Sequence, residues 1–240
     1  MHVVISTKPE GQLDGRAVGF RSEPETNGEH TLGMTFRIIY LDDAIIILDK
    51  PAGLLAVPGR GPENQVNLAS QVQELYPDAL VVHRLDRDTS GLMVMARGEE
   101  AQRRLGRQFE ERQVGKRYLA IVDGRPTDVR GRIELPMRKD LDRPPRQCVD
   151  FAHGRQAETE WRVIERQPDR TRLELAPLTG RSHQLRLHLA QIGHPILGDK
   201  LYASDPAVAL TDRLMLHATR LSLAHPTTGE AMTWNSECPF

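Results

Sequence analysis

His83-Arg84-Leu85-Asp86-Arg87-Asp88-Thr89-Ser90-Gly91 stands between two apolar runs, Ala79-Leu80-Val81-Val82 and Leu92-Met93-Val94-Met95-Ala96. Short apolar runs bounded by polar residues read as buried strands. The segment between them is therefore a strand-to-strand connection, and its nine residues hold three actual or potential cations, two carboxylates and two hydroxyls. Polar groups on a loop held by rigid supports are a common way of presenting catalytic chemistry.

Working outward from this segment, the β-branched runs Arg37–Tyr40 and Ala44–Leu48 flank the acidic turn Leu41-Asp42-Asp43 and predict a pair of strands. Lys50-Pro51-Ala52-Gly53 ends the second, because proline lacks a ladder donor and glycine supplies a turn. Val66, Ala69, Val72 and Leu75 recur at helical spacing until Pro77 stops them. Glu99 to Gln113 is the clearest helix: Ala101, Leu105 and Phe109 share a face, and Glu99 and Glu100 suit its positive end. Lys116 to Val122, with Tyr118 inside it, and Arg132 to Pro136 read as strands. Lys139 to Gly154, with adjacent prolines and little apolar periodicity, reads as a long basic loop. Thr159 to Glu165 and Arg172 to Ala176 predict a hairpin. Ser182 is the expected N-cap of a helix carrying Leu185, Leu189 and Ile192, with Gly193 just past its end. That places Arg181 outside the helix, at its mouth. Pro206 opens a short helix, and strands near Leu214–Leu223 close the chain. Many short strands without regular βαβ alternation predict an α+β fold with a largely antiparallel sheet.

Residues 1–34 hold scattered glycines and acids without a helical or strand period and are expected to form a loose extension, with residues 35–240 as the folded unit. Met34 marks a second candidate start. The chain has 240 residues, 39% of them hydrophobic and 27% charged, a globular balance. No apolar run approaches the roughly 18 residues of a membrane helix, and nothing at the N-terminus resembles a secretory signal. Two cysteines without metal-like spacing fit a reduced, cytoplasmic protein. The net charge of −1 neither demands nor excludes a polyanionic partner.

Three chemistries compete for the central segment. Metal ligation fits poorly: His83 and Asp86 fall on opposite faces of extended backbone, and His183 and His188 stand about 140° apart on a helix. Asp86 and Asp88 face the same side at roughly 7 Å, the geometry of a paired-carboxylate site. Yet Arg84 and Arg87 favour ionisation of both, against the raised pKa that an acid partner needs. A lone nucleophilic carboxylate is the more natural reading, and a charged surface turn is its bland rival.

The motifs themselves go further. His83-Arg84-Leu85-Asp86 with Thr89-Ser90-Gly91 resembles the HRLDxxTSG signature of the RluA family of pseudouridine synthases. Asp49–Leu54 resembles that family's NKPxGL segment, Lys116-Arg117-Tyr118 its KxY, Gly180–Arg186 its GRxHQLR, His194–Asp199 its HPILGD and Leu216-His217-Ala218 its LHA. The resemblance implies a pseudouridine synthase fold of two subdomains sharing a mixed, mostly antiparallel sheet, with an RNA-binding cleft between them. It implies Asp86 as nucleophile, Tyr118 as the aromatic residue against the target base, and Arg181 as the salt-bridge partner of Asp86. Arg84, with His83 beside it, would support the space left by a flipped nucleotide, and Arg143 and Arg146 would grip the backbone. The implied reaction needs no cofactor and no metal; the implied partner is RNA, and a monomer is expected. With only about 33 unpatterned residues before the catalytic part, the S4 domain that many members carry is not expected here. Val57–Arg60 and Arg143–Cys148 bring the chain closest to the short members that act on both a 23S rRNA stem-loop and the tRNA anticodon loop. A non-catalytic RNA-binding protein or chaperone on the same fold is the alternative.

Overall fold

A computed structural model describes residues 35–59, 61 and 65–240; the predicted N-terminal extension, Met34 and Arg60 lie outside them. Strands β1 (Arg37–Leu41) and β2 (Ile45–Lys50) form the expected antiparallel pair. Then follow α1 (Leu68–Leu75), β3 (Ala79–Val81), β4 (Ser90–Arg97), α2 (Glu99–Glu110) and β5 (Gly115–Asp123). β6 (Arg130–Glu134), β7 (Met137–Lys139), β8 (Gln147–Val149), β9 (Glu158–Arg166) and β10 (Arg170–Pro177) come next. The chain closes with α3 (Gln184–Gln191), α4 (Asp205–Ala209), β11 (Leu216–Ala224) and β12 (Ala231–Asn235).

Ten strands make one sheet in the order β1-β2-β4-β11-β5-β10-β9-β6, with β12 on β11 and β3 on β4. Every pairing is antiparallel except β4 with β11. The two halves of the sheet are built differently, and the sequence shows why. β2 and β4 are nearly continuous apolar runs because both of their faces are covered. Met93 and Met95 face Leu68, Ala69 and Val72 of α1, whereas Leu92, Val94 and Ala96 face Ala101 and Leu105 of α2. Strands β5, β9 and β10 alternate because only one face is covered, the pattern of a one-sided antiparallel sheet. Tyr118, Ala120, Trp161, Leu173 and Leu175 pack against Leu185 and Leu189 of α3. On the opposite face Arg162 and Arg117 pair with Glu174.

The halves meet where β4 runs parallel to β11, through His217 opposite Ser90 and Ala218 opposite Gly91. Gly91 sits at φ +109°, and a Cβ there would stand 2.3 Å from the carbonyl oxygen of Ala218. Gly91→Ala is expected to cost at least ~3 kcal/mol, combining left-handed strain with displacement of β11. Urea unfolding checks this, and a loss below about 1 kcal/mol would mean that β11 can move aside freely.

Helix α3 is buried on nearly all sides, so each polar group on it requires a partner. His188 bonds Thr159 and the Leu135 carbonyl, at 3.0 and 3.2 Å. Burial pushes its imidazole down to about 4, and it does the same to His217, which sits between Ser90 and Ser236. Both folded values lie below the unfolded one, so stability is complete above about pH 6.5 and falls as pH drops toward 4, by about 1.4 kcal/mol per unit for each ring. The urea midpoint at pH 5 is therefore expected below that at pH 7. Equal midpoints would show that these rings do not govern acid stability.

Candidate active site

The central segment crosses the seam between the two halves. His83 stacks on Phe109 of α2 with ring centroids 4.6 Å apart, while Leu85 is buried in the core of the other half. The segment is also fastened from below. Lys50, fully buried, donates through Nζ to the carbonyls of Pro51, Leu54 and Arg87 at 2.7–2.9 Å. Burial lowers this ammonium to about 8, and the charges of Asp88 and Asp86 oppose that shift. The Gly53 N–H donates to the same Arg87 carbonyl at 2.9 Å, and the Thr89 N–H donates to the Asp86 carbonyl at 3.2 Å. A loop held at this many points presents Asp86 with little freedom.

Asp86 opens onto a cleft of about 630 Å³, walled by residues 82–86, the end of α2, Lys116 and Tyr118 of β5, and residues 177–186. Its side chain is 19% exposed, and Arg186 of α3 approaches it at 3.7 Å. Arg186 in turn makes a bidentate pair with the fully buried Asp199, at 2.6 and 2.8 Å. Asp199 also accepts from the N–H groups of Leu201 and Tyr202. Asp199 fixes the guanidinium and leaves its other edge for Asp86. Tyr118 is 9% exposed, and burial together with the charge of Asp86 raises its phenol, which stays protonated at neutral pH.

The expected pairing of Arg181 with Asp86 does not form. Arg181 lines the cleft, but its Nε donates to the Gln156 carbonyl at 3.2 Å. The pairing depends on which arginine of the Gly180–Arg186 segment lies inside α3, and the helix begins late enough to put Arg186 there. Ser182 is not the cap either: His183, left-handed at φ 55°, precedes the first helical residue. The loop before α3 is held instead by Gln184, whose Oε1 accepts from Thr179 and the Arg181 N–H. His183 bonds the Tyr202 hydroxyl at 2.8 Å, and that hydroxyl accepts from the Gln147 N–H of β8 at 2.7 Å.

Arg84 is exposed and lines the cleft. His83 serves the fold: its Nε2 accepts from the Val94 N–H at 3.0 Å, and burial, with the charge of Lys116, pushes the ring down to about 3. Residues 139–154 are not a structureless basic loop. β7 and β8 pair there, and Asp140 closes the turn by accepting from the Asp142 and Arg143 N–H groups. Three-residue strands are too short for any period to reveal them. The segment's Lys139, Arg143 and Arg146 are matched in number by Asp140, Asp142 and Asp150. Arg143 pairs with Asp140 at 3.0 Å, and neither Arg143 nor Arg146 lines the cleft.

Sequence reasoning missed Arg186, Asp199 and Lys50. Arg186 had a signal, since a cation flanked by Leu185 and Leu187 in a buried helix requires a carboxylate.

Comparison with known proteins identifies the family. Residues 44–191 match the model of a family described as RNA pseudouridylate synthase. The chain is 46% identical over 204 residues to the dual-specificity RNA pseudouridine synthase RluA of Escherichia coli K12, covering 85% of this chain and 93% of that one. It is equally similar to the RluA of Yersinia pestis, 46% over 85% of this chain and 99% of that one. Among solved structures, human RNA pseudouridylate synthase domain containing 1 superposes with a TM-score of 0.73 at 27% identity, over 88% of this chain and 87% of that one. With the family model spanning the central segment, nearly all of the cleft wall and the whole of α3, the chain belongs to the RNA pseudouridylate synthase family.

Proposed function

We propose that the protein converts uridine to pseudouridine in both ribosomal and transfer RNA loops, with Asp86 as the nucleophile of the ribose carbon. The observation that carries this is the cleft in which an Arg186-paired carboxylate and a neutral phenol stand together at the seam of the sheet. The N1–C1′ bond breaks, uracil turns over in place, and a C5–C1′ bond forms while C5 loses its proton and N1 gains one. Atoms balance without a co-reactant. Asp86 stabilises or attacks C1′ as the bond breaks, Arg186 fixes its direction, and Tyr118 lies against the base and can pass a proton. Arg84, exposed at the rim, fills the space left by the extruded nucleotide, whose flipping costs a few kcal/mol and least in a loop. The dual specificity named for the relatives supports both RNA classes. A protein that only bound RNA would not need a carboxylate fixed through a buried arginine, and no observation favours that reading. We expect the protein to act as a monomer, since Asp86, Tyr118 and Arg186 all come from one chain.

Loss of the C5 proton supplies the assay. Transcripts of 23S rRNA stem-loops and tRNA anticodon stem-loops carrying 5-tritiated uridine are expected to release tritium with the purified protein. No release from either class would overturn the reading. Pseudouridine mapping in total RNA from a deletion strain, with and without the restored gene, identifies the positions.

A further inference from the structure

Two lysines are enclosed near the reaction centre, and the fold treats them oppositely. Lys50 is saturated, with three carbonyls around its ammonium. Lys116 stands on β5 two residues before Tyr118, on the same face of the strand, half-buried in the cleft wall. Its Nζ reaches the opposite wall, where a Cβ on Gly180 would meet it at 3.7 Å. Among the described residues it has neither a carboxylate nor a hydrogen-bond acceptor, and burial lowers its ammonium with nothing to oppose the shift. The other enclosed cation of the cleft, Arg186, is neutralised by Asp199, and neighbouring His83 is kept uncharged.

The Nζ of Lys116 stays open to the cleft while the walls around it restrict hydration, so a counter-charge entering the cleft gains by pairing with it. Among the described residues none supplies one, whereas RNA carries an anion at every nucleotide. A lysine suits a phosphate as a point charge on a flexible stem, without the planar match an arginine demands. We propose that Lys116 binds a backbone phosphodiester of the RNA next to the flipped nucleotide, drawing that strand against the wall formed by residues 177–183. The inference rests on the RNA-isomerase reading above and adds a specific contact to it. It also explains why Lys116 shares a strand face with Tyr118: one element then holds both the base and the backbone beside it.

Salt dependence tests this directly. Wild type, Lys116→Met and Lys116→Arg are compared for binding to a tRNA anticodon stem-loop transcript between 50 and 200 mM KCl. Each phosphate contact to single-stranded RNA contributes about 0.7 to the slope of log affinity against log salt. Lys116→Met is expected to lower the slope by about that amount and to raise KM, with kcat within about threefold of wild type, the signature of lost ground-state binding. Lys116→Arg restores the slope. Equal slopes in wild type and Lys116→Met overturn the proposal, and so does a fall in kcat with the slope unchanged, which would make Lys116 a proton carrier. Melting temperatures confirm folding, and Lys116→Gln repeats the comparison if the methionine variant does not fold. Failure of the wild type to release tritium would count against the isomerase reading alone, since the slope is a binding measurement.

Discussion

Asp86→Asn is expected to remove tritium release by at least roughly four orders of magnitude, the scale on which deleting a nucleophile acts, while RNA binding stays within a few-fold of wild type. The fold should hardly register the change. Arg186 keeps its two short bonds to Asp199 and loses only the approach at 3.7 Å, so no buried charge is orphaned. Stability is expected within about 1 kcal/mol of wild type, the limit for a change that leaves buried partners paired. Filter binding, tritium release and urea unfolding on the same preparation separate the three effects. Retained isomerisation would sink the assignment of Asp86. Lost binding with intact folding would give its charge a part in holding RNA.

Asp199→Ala is expected to do the reverse, reaching activity through the fold. It leaves a guanidinium that is 4% exposed without its carboxylate, and it strips the acceptor from the N–H groups of Leu201 and Tyr202. Breaking one side of a buried pair costs about 3–5 kcal/mol, which in a domain of this size lowers the melting temperature by about 10 °C. Asp199→Asn keeps an oxygen for the two N–H groups and removes only the charge, so it isolates the ionic part. In both variants Arg186 is no longer held in the orientation that serves Asp86, so kcat is expected to fall even below the new melting point. Normal melting of Asp199→Ala would show that Arg186 finds another partner.

Much of this was legible in the chain, and the reasons differ by element. The unbroken apolar run of β4 announced burial on both faces, and the alternation of β9 and β10 announced one covered face. α2 was plain because Ala101, Leu105 and Phe109 repeat on one face, although it ends at Glu110 because Arg112 turns left-handed at φ 59°. The local pattern signals that Arg186 needs a carboxylate but not that it, rather than Arg181, reaches Asp86. That depends on Asp199, thirteen residues beyond Arg186, folding back beneath α3. His83 misled for the opposite reason: a histidine beside a reactive carboxylate looks chemical, but a backbone N–H and an aromatic ring already use both its edge and its face. Lys50 stands in the sequence only as the end of a strand, and the return of residue 87 over it supplies its third carbonyl.

The place of β11 in the sheet bears on how the protein is made. One of the last strands of the chain lies at its centre, and β4 and β5 do not pair with each other except through it. As the polypeptide leaves the ribosome from its N-terminus, Asp86 emerges on one half-sheet and Tyr118 on the edge strand of the other, and neither half can close on its partner until Leu216–Ala224 appears. Such late, long-range pairing slows folding and leaves strand edges open meanwhile. It also means that Asp86 and Tyr118, though made early, are brought to one site only after Leu216–Ala224 has been made about a hundred residues later.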